Sequence, residues 1–292
     1  MVDHGVVIRR HELTDSEWEL LAPLIPSASR GRPRTEDRRV INGMVYKIRT
    51  GVSWRDLPER YGPWKTVYTR FRRYAIDGVF TRALQRIQAR ADAAGDIDWL
   101  VQIDSTIVRA HQHAAATGRK GEVPDDEPDD HALGRSRGGL TSKIHLACDG
   151  RGRPLAILLT PGQRHDGICA RPLLERIRVP RTGPGRPRCR PDHVIADKAY
   201  SSRGFRAYLR KRGIGHTIPE KNDQKRHRRN RGRRGGRPTG FNSEIYRRRN
   251  TVERCFNQLK GFRGIATRYE KTATSYEAAV TLASLLLWAR SI

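Results

Sequence analysis

The chain has 292 residues, with 58 Lys and Arg against 31 Asp and Glu and a formal net charge of +27. That excess excludes a protein that avoids polyanions and points to nucleic acid, for which the predominant Arg is well suited. Four scattered cysteines make no zinc-like spacing, the apolar run 278–289 is too short for a bilayer, and the N-terminus lacks a signal peptide's apolar core, so a cytoplasmic, nucleoid-associated protein with no membrane partner is expected.

The chain opens with helical patterning. Thr14 and Glu17 form a capping box ahead of Trp18, Leu20, Leu21 and Leu24, and Pro26 closes that helix. Thr35 is placed to cap a second helix, with Val40, Ile41, Met44, Val45 and Ile48 on its apolar face and Gly51 at its end. A turn over residues 53–57 and the pair Gly62-Pro63 lead into KTVYTRFRRYAIDGVF. There Val67, Phe71 and Tyr74 face inward, while Lys65, Arg70, Arg72 and Arg73 face out. Two short helices, a turn and a basic helix suggest a helix-turn-helix reader of DNA over residues 1–92; a plain bundle with a basic exterior gives the same pattern. Trp54 and Trp64 read as packing within that bundle. Arg30-Gly31-Arg32-Pro33 suits insertion into a narrow minor groove, whereas the Gly-Arg-Pro steps at Arg153 and Arg186 read as loop chemistry.

From Trp99 the periodicity becomes that of strands. WLVQIDSTIV carries Asp104, SKIHLACD and RPLAILLTP flank Gly150-Arg151-Gly152 as a hairpin, and HVIAD ends at Asp197. A helix over 202–212, a strand in GIGHTIP, one helix over 243–261 and a last helix over about 274–290 complete an α/β domain with a mixed sheet over 93–292. Segments 114–139 and 220–240 interrupt it. The first carries Glu122, Asp125, Asp126, Glu127, Asp129 and Asp130, read as a solvated surface. The second has nine Lys or Arg and no large apolar residue. Neither can bury a core, so both are expected to be mobile until something binds. In the second, Arg226, Arg228, Arg229, Arg231, Arg233 and Arg234 form the expected clamp for DNA phosphates.

Three carboxylates carry the chemistry. Asp104 and Asp197 each interrupt or end an apolar strand, where an unpaired carboxylate is costly; alone, either reads equally well as an Asp turning the chain. Tyr246, Arg249, Glu253 and Lys260 follow one another at steps of three, four and seven residues, which share one helical face. Asn257 lies on that face, and Ile245, Val252, Phe256 and Leu259 form an apolar stripe beside it. A solvated face with i,i+4 salt bridges has the same spacing. Three acids from three elements suit hard-oxygen binding of Mg²⁺ or Mn²⁺, and two such ions suit phosphodiester cleavage. His111-Gln112-His113 offers two imidazoles without a third ligand cluster. His165-Asp166 reads as a loop hydrogen bond rather than as a neighbour of the acids.

These motifs resemble a bacterial insertion-sequence transposase of the DDE type, in the group with the Tyr-Arg-Glu-Lys signature (the IS four and IS five superfamily, closest to IS five). The resemblance rests on IDSTIVRAHQHAAATG, GRSRGGLTSKIHLACD, TPGQRHD, VIADKAYSS and the signature residues, and on LTDSEWELLAPLIP, GRPR and GVSWRDLPERYGPWKTVYTRFRRY. It implies a ribonuclease-H-like catalytic domain preceded by a helical domain that recognises terminal inverted repeats. Asp104, Asp197 and Glu253 would be the triad for two Mg²⁺ ions, with Mn²⁺ substituting. Water would cut at the element's end, and the exposed 3′ hydroxyl would attack target DNA. Tyr246, Arg249 and Lys260 would position double-stranded DNA, with Lys198 a weaker phosphate contact, inside a homodimer or larger synaptic complex. The alternative is a DNA-binding descendant that no longer cuts. An Arg-rich RNA binder is a third reading, disfavoured by the lack of an RNP-type aromatic motif.

Overall fold

The computed structural model describes residues 10–26, 35–115, 127–136 and 138–291. Arg30-Gly31-Arg32-Pro33 and the acids Glu122, Asp125 and Asp126 lie outside the described residues.

Helix α1 (Asp15–Leu21) starts at the expected capping box: Glu17 N donates to Thr14 Oγ1 at 3.1 Å and Thr14 N to Glu17 Oε2 at 2.9 Å. It stops before Pro26, because Ala22–Leu24 tightens into a 3-10 turn around Pro23. Helix α2 (Asp37–Thr50) buries its expected apolar face and ends on Gly51, whose φ of +75° is the left-handed conformation that glycine adopts freely. Thr35 does not cap it. Glu36 holds the cap position without a side-chain bond, and the Thr35 carbonyl instead accepts from Arg70 Nη1 at 3.2 Å. Helix α3 (Trp64–Ile76) buries Val67, Phe71 and Tyr74, and α4 (Val79–Ala93) follows.

Two of the four basic residues of α3 do not face outward as expected. Arg70 Nη1 pairs with Asp37 Oδ1 at 2.9 Å, and Arg72 Nη1 donates to the Thr272 and Ser275 hydroxyls at 3.5 and 3.4 Å. Their long stems reach acceptors on neighbouring elements that sequence spacing does not reveal. Lys65 and Arg73 remain exposed.

One mixed sheet contains β1 (Leu100–Ala110), β2 (Gly134–Ser136), β3 (Gly139–Cys148), β4 (Pro154–Pro161), β5 (His193–Ile195), β6 (Gly215–Thr217) and β7 (Thr267–Arg268). Its main order is β4-β3-β1-β5-β6. The first three strands are antiparallel and the last three parallel, the strand plan of a ribonuclease-H-like fold. Short β2 pairs with the start of β3, and β7 with the end of β1. The β3–β4 turn is held by buried Asp149, which accepts from Arg151 N and Arg153 N and pairs with Arg153 Nη2 at 2.7 Å. Arg153 is thus structural, as its loop setting suggested.

Helices α5 (Asp166–Glu175), α6 (Arg203–Lys211), α7 (Asn222–Asn230), α8 (Ser243–Arg247), α9 (Asn250–Lys260), α10 (Arg263–Ala266) and α11 (Ala273–Ala289) complete the chain. α11 is apolar around most of its circumference and correspondingly buried, seated against β4 and α1–α4. Trp288 Nε1 donates to the Pro154 carbonyl at 2.6 Å, and Lys47 on α2 pairs with Glu270 at 2.6 Å, both out of water. The N-terminal helices and the sheet therefore share one core. Among the described residues, no helix is long and apolar enough to cross a membrane.

Both interrupting segments hold more structure than expected. Residues 222–230 form α7, which buries no side chain but docks through Gln224: its Nε2 donates to the Ser201 carbonyl at 2.6 Å, and its Oε1 accepts from Ser201 Oγ at 2.7 Å. Arg, Lys and Gln are adequate helix formers, so a polar dock suffices. In the first segment, Glu127 is not solvated. Its carboxylate caps α11, accepting from Ala273 N at 2.6 Å and Thr274 N at 2.8 Å, where a helix N-terminus favours negative charge. Against its burial, the Thr274 hydroxyl and N–H hold this carboxyl below its usual range.

Candidate active site

Strands β1 and β5 run parallel in a register that matches Leu100 with His193 and Gln102 with Ile195. Two residues beyond that last pair stand Asp104, still within β1, and Asp197, just past the end of β5. On that edge of β1 the next pairing is with β7 at Arg109, so the stretch around Asp104 faces no strand there. Asp104 Oδ1 accepts from Ser105 N at 2.8 Å, and Asp197 Oδ1 accepts from Ala199 N at 2.7 Å to cap the 3-10 turn Lys198–Tyr200. Burial raises the Asp104 carboxyl above its usual range, and the charge of Asp197 adds to the rise; Ser105 N–H and Arg249 oppose it.

The third acid arrives on α9. Gln102 shares a face of β1 with Asp104 by the two-residue period of a strand, and its Oε1 accepts from Val252 N at 3.0 Å. That bond fixes the start of α9 on the sheet one residue before Glu253. The expected single helix over 243–261 is broken here: α8 ends at Arg247 and α9 begins at Asn250. Between them the backbone closes i→i−3 bonds, Arg249 N to Tyr246 O at 3.0 Å and Thr251 N to Arg248 O at 3.0 Å. The break has a physical cause in the run of arginines. Arg248 pairs with Asp98, and Arg249 is drawn to Asp104.

Arg249 forks between two of the acids. Its Nη2 lies 2.6 Å from Asp104 Oδ2 and its Nη1 2.9 Å from Glu253 Oε1. Burial lowers its pKa, but Asp104, Tyr246, Glu253 and Asp197 together raise it above the usual value. Burial likewise raises the Tyr246 hydroxyl; Arg249 pulls it down, while Asp197, Asp104 and Glu253 push it up. Tyr246, Arg249 and the three acids thus form one electrostatic group. Lys260 stands apart, seven residues and about 10 Å along the α9 axis from Glu253. Lys198 is exposed beside Asp197.

Sequence reasoning missed the support beneath Asp104. Asp166, expected to close only a local loop, accepts from Ser105 Oγ at 2.8 Å and pairs with Lys143 Nζ at 2.8 Å. Against its burial, Lys143 and Ser105 hold its carboxyl below the usual range. His165 does make the local bond, capping α5 by accepting from Gly167 N at 3.1 Å. Burial pushes the Tyr200 hydroxyl far up, and the charges of Asp104, Asp166 and Asp197 add to the effect. The signals available in sequence were a lone Gln in an apolar strand and an Asp opening a helix.

The other candidates lie elsewhere. His111 and His113 leave β1 into a 3-10 turn with ring centroids 4.4 Å apart. In the basic segment Arg226, Arg229, Arg231, Arg233 and Arg234 are exposed, whereas Arg228 is paired with Glu220.

Among the described residues, no three acids, histidines or cysteines stand close enough together to hold a metal. The donor set nonetheless fits a hard divalent cation: two carboxylates from different elements already converge on one positive charge, the Arg249 guanidinium. Asp104 and Glu253, joined by Asp197, are the residues that would hold the metal once that guanidinium moves.

The chain is similar to known transposases. Residues 13–84 match the family described as "Putative transposase of IS4/5 family", and residues 97–288 match the family described as "Transposase DDE domain". A Brucella ovis protein named "Putative transposase for insertion sequence element IS6501" is 34% identical over 151 residues, covering 52% of this chain and 100% of that one. A Burkholderia cepacia protein, "Putative transposase for insertion sequence element IS402", is 33% identical over 153 residues, 52% of this chain and 64% of its own length. Among solved structures, the Mos1 transposase paired-end complex with left transposon end is matched over 91% of this chain and 82% of that chain. At 12% identity and a TM-score of 0.25, that likeness carries no argument. A DDE family of this kind depends on a divalent metal. The DDE domain spans about two thirds of the length, and the chain belongs to the DDE transposase family.

Proposed function

We propose that this transposase cuts DNA at the ends of an insertion sequence and joins the exposed 3′ hydroxyls to target DNA, with Asp104, Asp197 and Glu253 as its catalytic acids. The observation that supports the reading is that Arg249 pairs with both Asp104 and Glu253, while β1 and β5 run parallel up to Gln102 and Ile195, two residues short of Asp104 and Asp197. A divalent metal held by these acids, Mg²⁺ as two ions with Mn²⁺ substituting, would supply activation of water and stabilisation of the leaving oxygen. The chain's own groups do the rest. The Tyr246 hydroxyl and the Arg249 guanidinium face the acids and hold the scissile phosphate in line. Exposed Lys198 steadies a flanking phosphate, and Lys260 meets the backbone further along the helix.

The N-terminal helices, through Lys65 and Arg73, recognise the terminal inverted repeats of double-stranded DNA. The exposed arginines of the 220–240 segment add contacts that do not depend on sequence. Joining two ends calls for a homodimer or larger synaptic complex, working in the cytoplasm on nucleoid DNA. A DNA-binding descendant without cleavage is the other reading, and the presence of all three acids favours the active enzyme. The test is Glu253→Gln, which keeps the shape and removes one charge: duplex binding persists while strand cutting is lost. A Gln variant that cuts like wild type removes Glu253 from the active site.

A further inference from the structure

Arg249 does more in this fold than wait for a phosphate. Its two terminal nitrogens are already committed, at 2.6 Å to Asp104 and 2.9 Å to Glu253, where a cation shared by those acids would sit. A guanidinium and a divalent ion cannot both occupy that position, because their charges repel in a partly buried setting. The third donor, Nε, is buried and has no acceptor among the described residues. The fork is therefore held by the acids yet not saturated by the fold. It sits in the turn between α8 and α9, on a side chain 23% exposed, opposite a Glu253 side chain 51% exposed. Both partners have room to part.

We propose that Arg249 couples metal binding to DNA binding. In the free protein its guanidinium closes the acid site. A DNA phosphate offers the fork a pair of anionic oxygens, as a carboxylate does, without the link to the acids. When the phosphate takes the fork, Asp104 and Glu253 are released to a divalent metal. By linkage, DNA then raises metal affinity and metal raises DNA affinity by one and the same factor. The free enzyme is kept from loading metal, and so from cutting, until DNA lies across α8 and α9. This rests on the assignment of the acids as the metal site, and the test separates the two.

The measurement is binding of Mn²⁺ alone to the full chain, read from the electron paramagnetic resonance signal of free Mn²⁺. It is repeated with a duplex taken from the DNA flanking the native gene, corrected for Mn²⁺ held by that duplex. Without DNA, Arg249→Gln is expected to bind Mn²⁺ about tenfold tighter than wild type, within the usual range of site-to-site couplings. Added duplex should tighten wild type and leave Arg249→Gln nearly unchanged. Arg249→Lys, a point charge that reaches one carboxylate at a time, should fall between them. A merely structural role for Arg249 predicts weaker Mn²⁺ binding in both variants, and that result, or equal affinity in all three proteins, would overturn the coupling. Glu253→Gln with duplex present is the separate arm: Mn²⁺ bound there as tightly as by wild type with duplex would overturn the metal-site assignment itself, whatever Arg249 does.

Discussion

Glu270→Gln tests whether the N-terminal helices and the catalytic sheet are one cooperative body. Lys47 Nζ lies 2.6 Å from Glu270 Oε1, with the two side chains 2% and 3% exposed. The same ammonium sits 5.6 Å from the Trp54 ring centroid and 5.3 Å from that of Tyr269. The substitution keeps the shape and removes the charge, leaving a desolvated Lys47 without its counter-ion. Removing one partner of a buried pair costs about 3–5 kcal/mol, and with water excluded there is little screening to reduce it. At roughly 2 °C per kcal/mol for a chain of this size, the melting temperature should fall by about 6–10 °C. Glu270 Oε2 has no donor among the described residues, so the intact pair also carries an unmet cost. Lys47→Met with Glu270→Leu removes both charges together and should come within about 1 kcal/mol of wild type. Urea unfolding of wild type, Lys47→Met, Glu270→Leu and the double variant closes the cycle, with an unchanged m value showing that the same surface unfolds. A loss below about 1 kcal/mol for Glu270→Gln, or a double variant as unstable as the summed singles, would refute the reasoning.

Buried His145 has its pKa pushed down to about 4, chiefly by burial, with the Lys143 charge adding and Asp166 opposing. The unfolded chain takes up that proton near pH 6.5 and the folded one only near 4. The stability present above pH 6.5 is therefore lost as pH falls toward 4, on the order of 3 kcal/mol. His145→Gln should flatten that dependence of the urea midpoint, and an unchanged slope would remove His145 as its source. Asp166→Asn should lower cleavage about tenfold or more at unchanged duplex affinity, as loss of a residue supporting a metal ligand does; equal loss of binding and cleavage would make its role structural. Neutralising Arg226, Arg229, Arg231, Arg233 and Arg234 should flatten the salt dependence of binding by about 0.9 in log–log slope for each phosphate no longer neutralised, read by titration at several salt concentrations. An unchanged slope would show that these arginines do not meet phosphates.

The elements that announced themselves in sequence are those whose local chemistry and final environment agree. β1, the β3–β4 hairpin and α11 are largely apolar stretches that end up mostly buried, and the Thr14–Glu17 box caps α1 wherever that helix packs. Asp104 and Asp197 stood out because one interrupts an apolar strand and the other follows one, and the charge of Asp197 acts on Asp104 in the fold. What escaped depends on partners distant in sequence. The break after Arg247 reflects the pull of Asp98 and Asp104 on Arg248 and Arg249, about 150 residues away. Arg70 and Arg72 looked solvent-facing by periodicity, but their stems carry the guanidinium groups back to α2 and α11. α7 buries no side chain and docks by hydrogen bonds from Gln224, so no apolar pattern betrays it. Glu127 looked like one acid in a solvated cluster and is instead the cap of α11.

Strand cleavage tests the central claim most directly. A duplex from the DNA flanking the native gene, incubated with Mg²⁺, is resolved on a denaturing gel with wild type, Asp104→Ala, Asp197→Ala and Glu253→Ala. Metal-dependent nicks at a defined position from wild type, absent from all three variants that still bind the duplex, are the predicted result. Cutting by any one of the three variants at the wild-type rate would contradict the assignment of these residues as one catalytic triad.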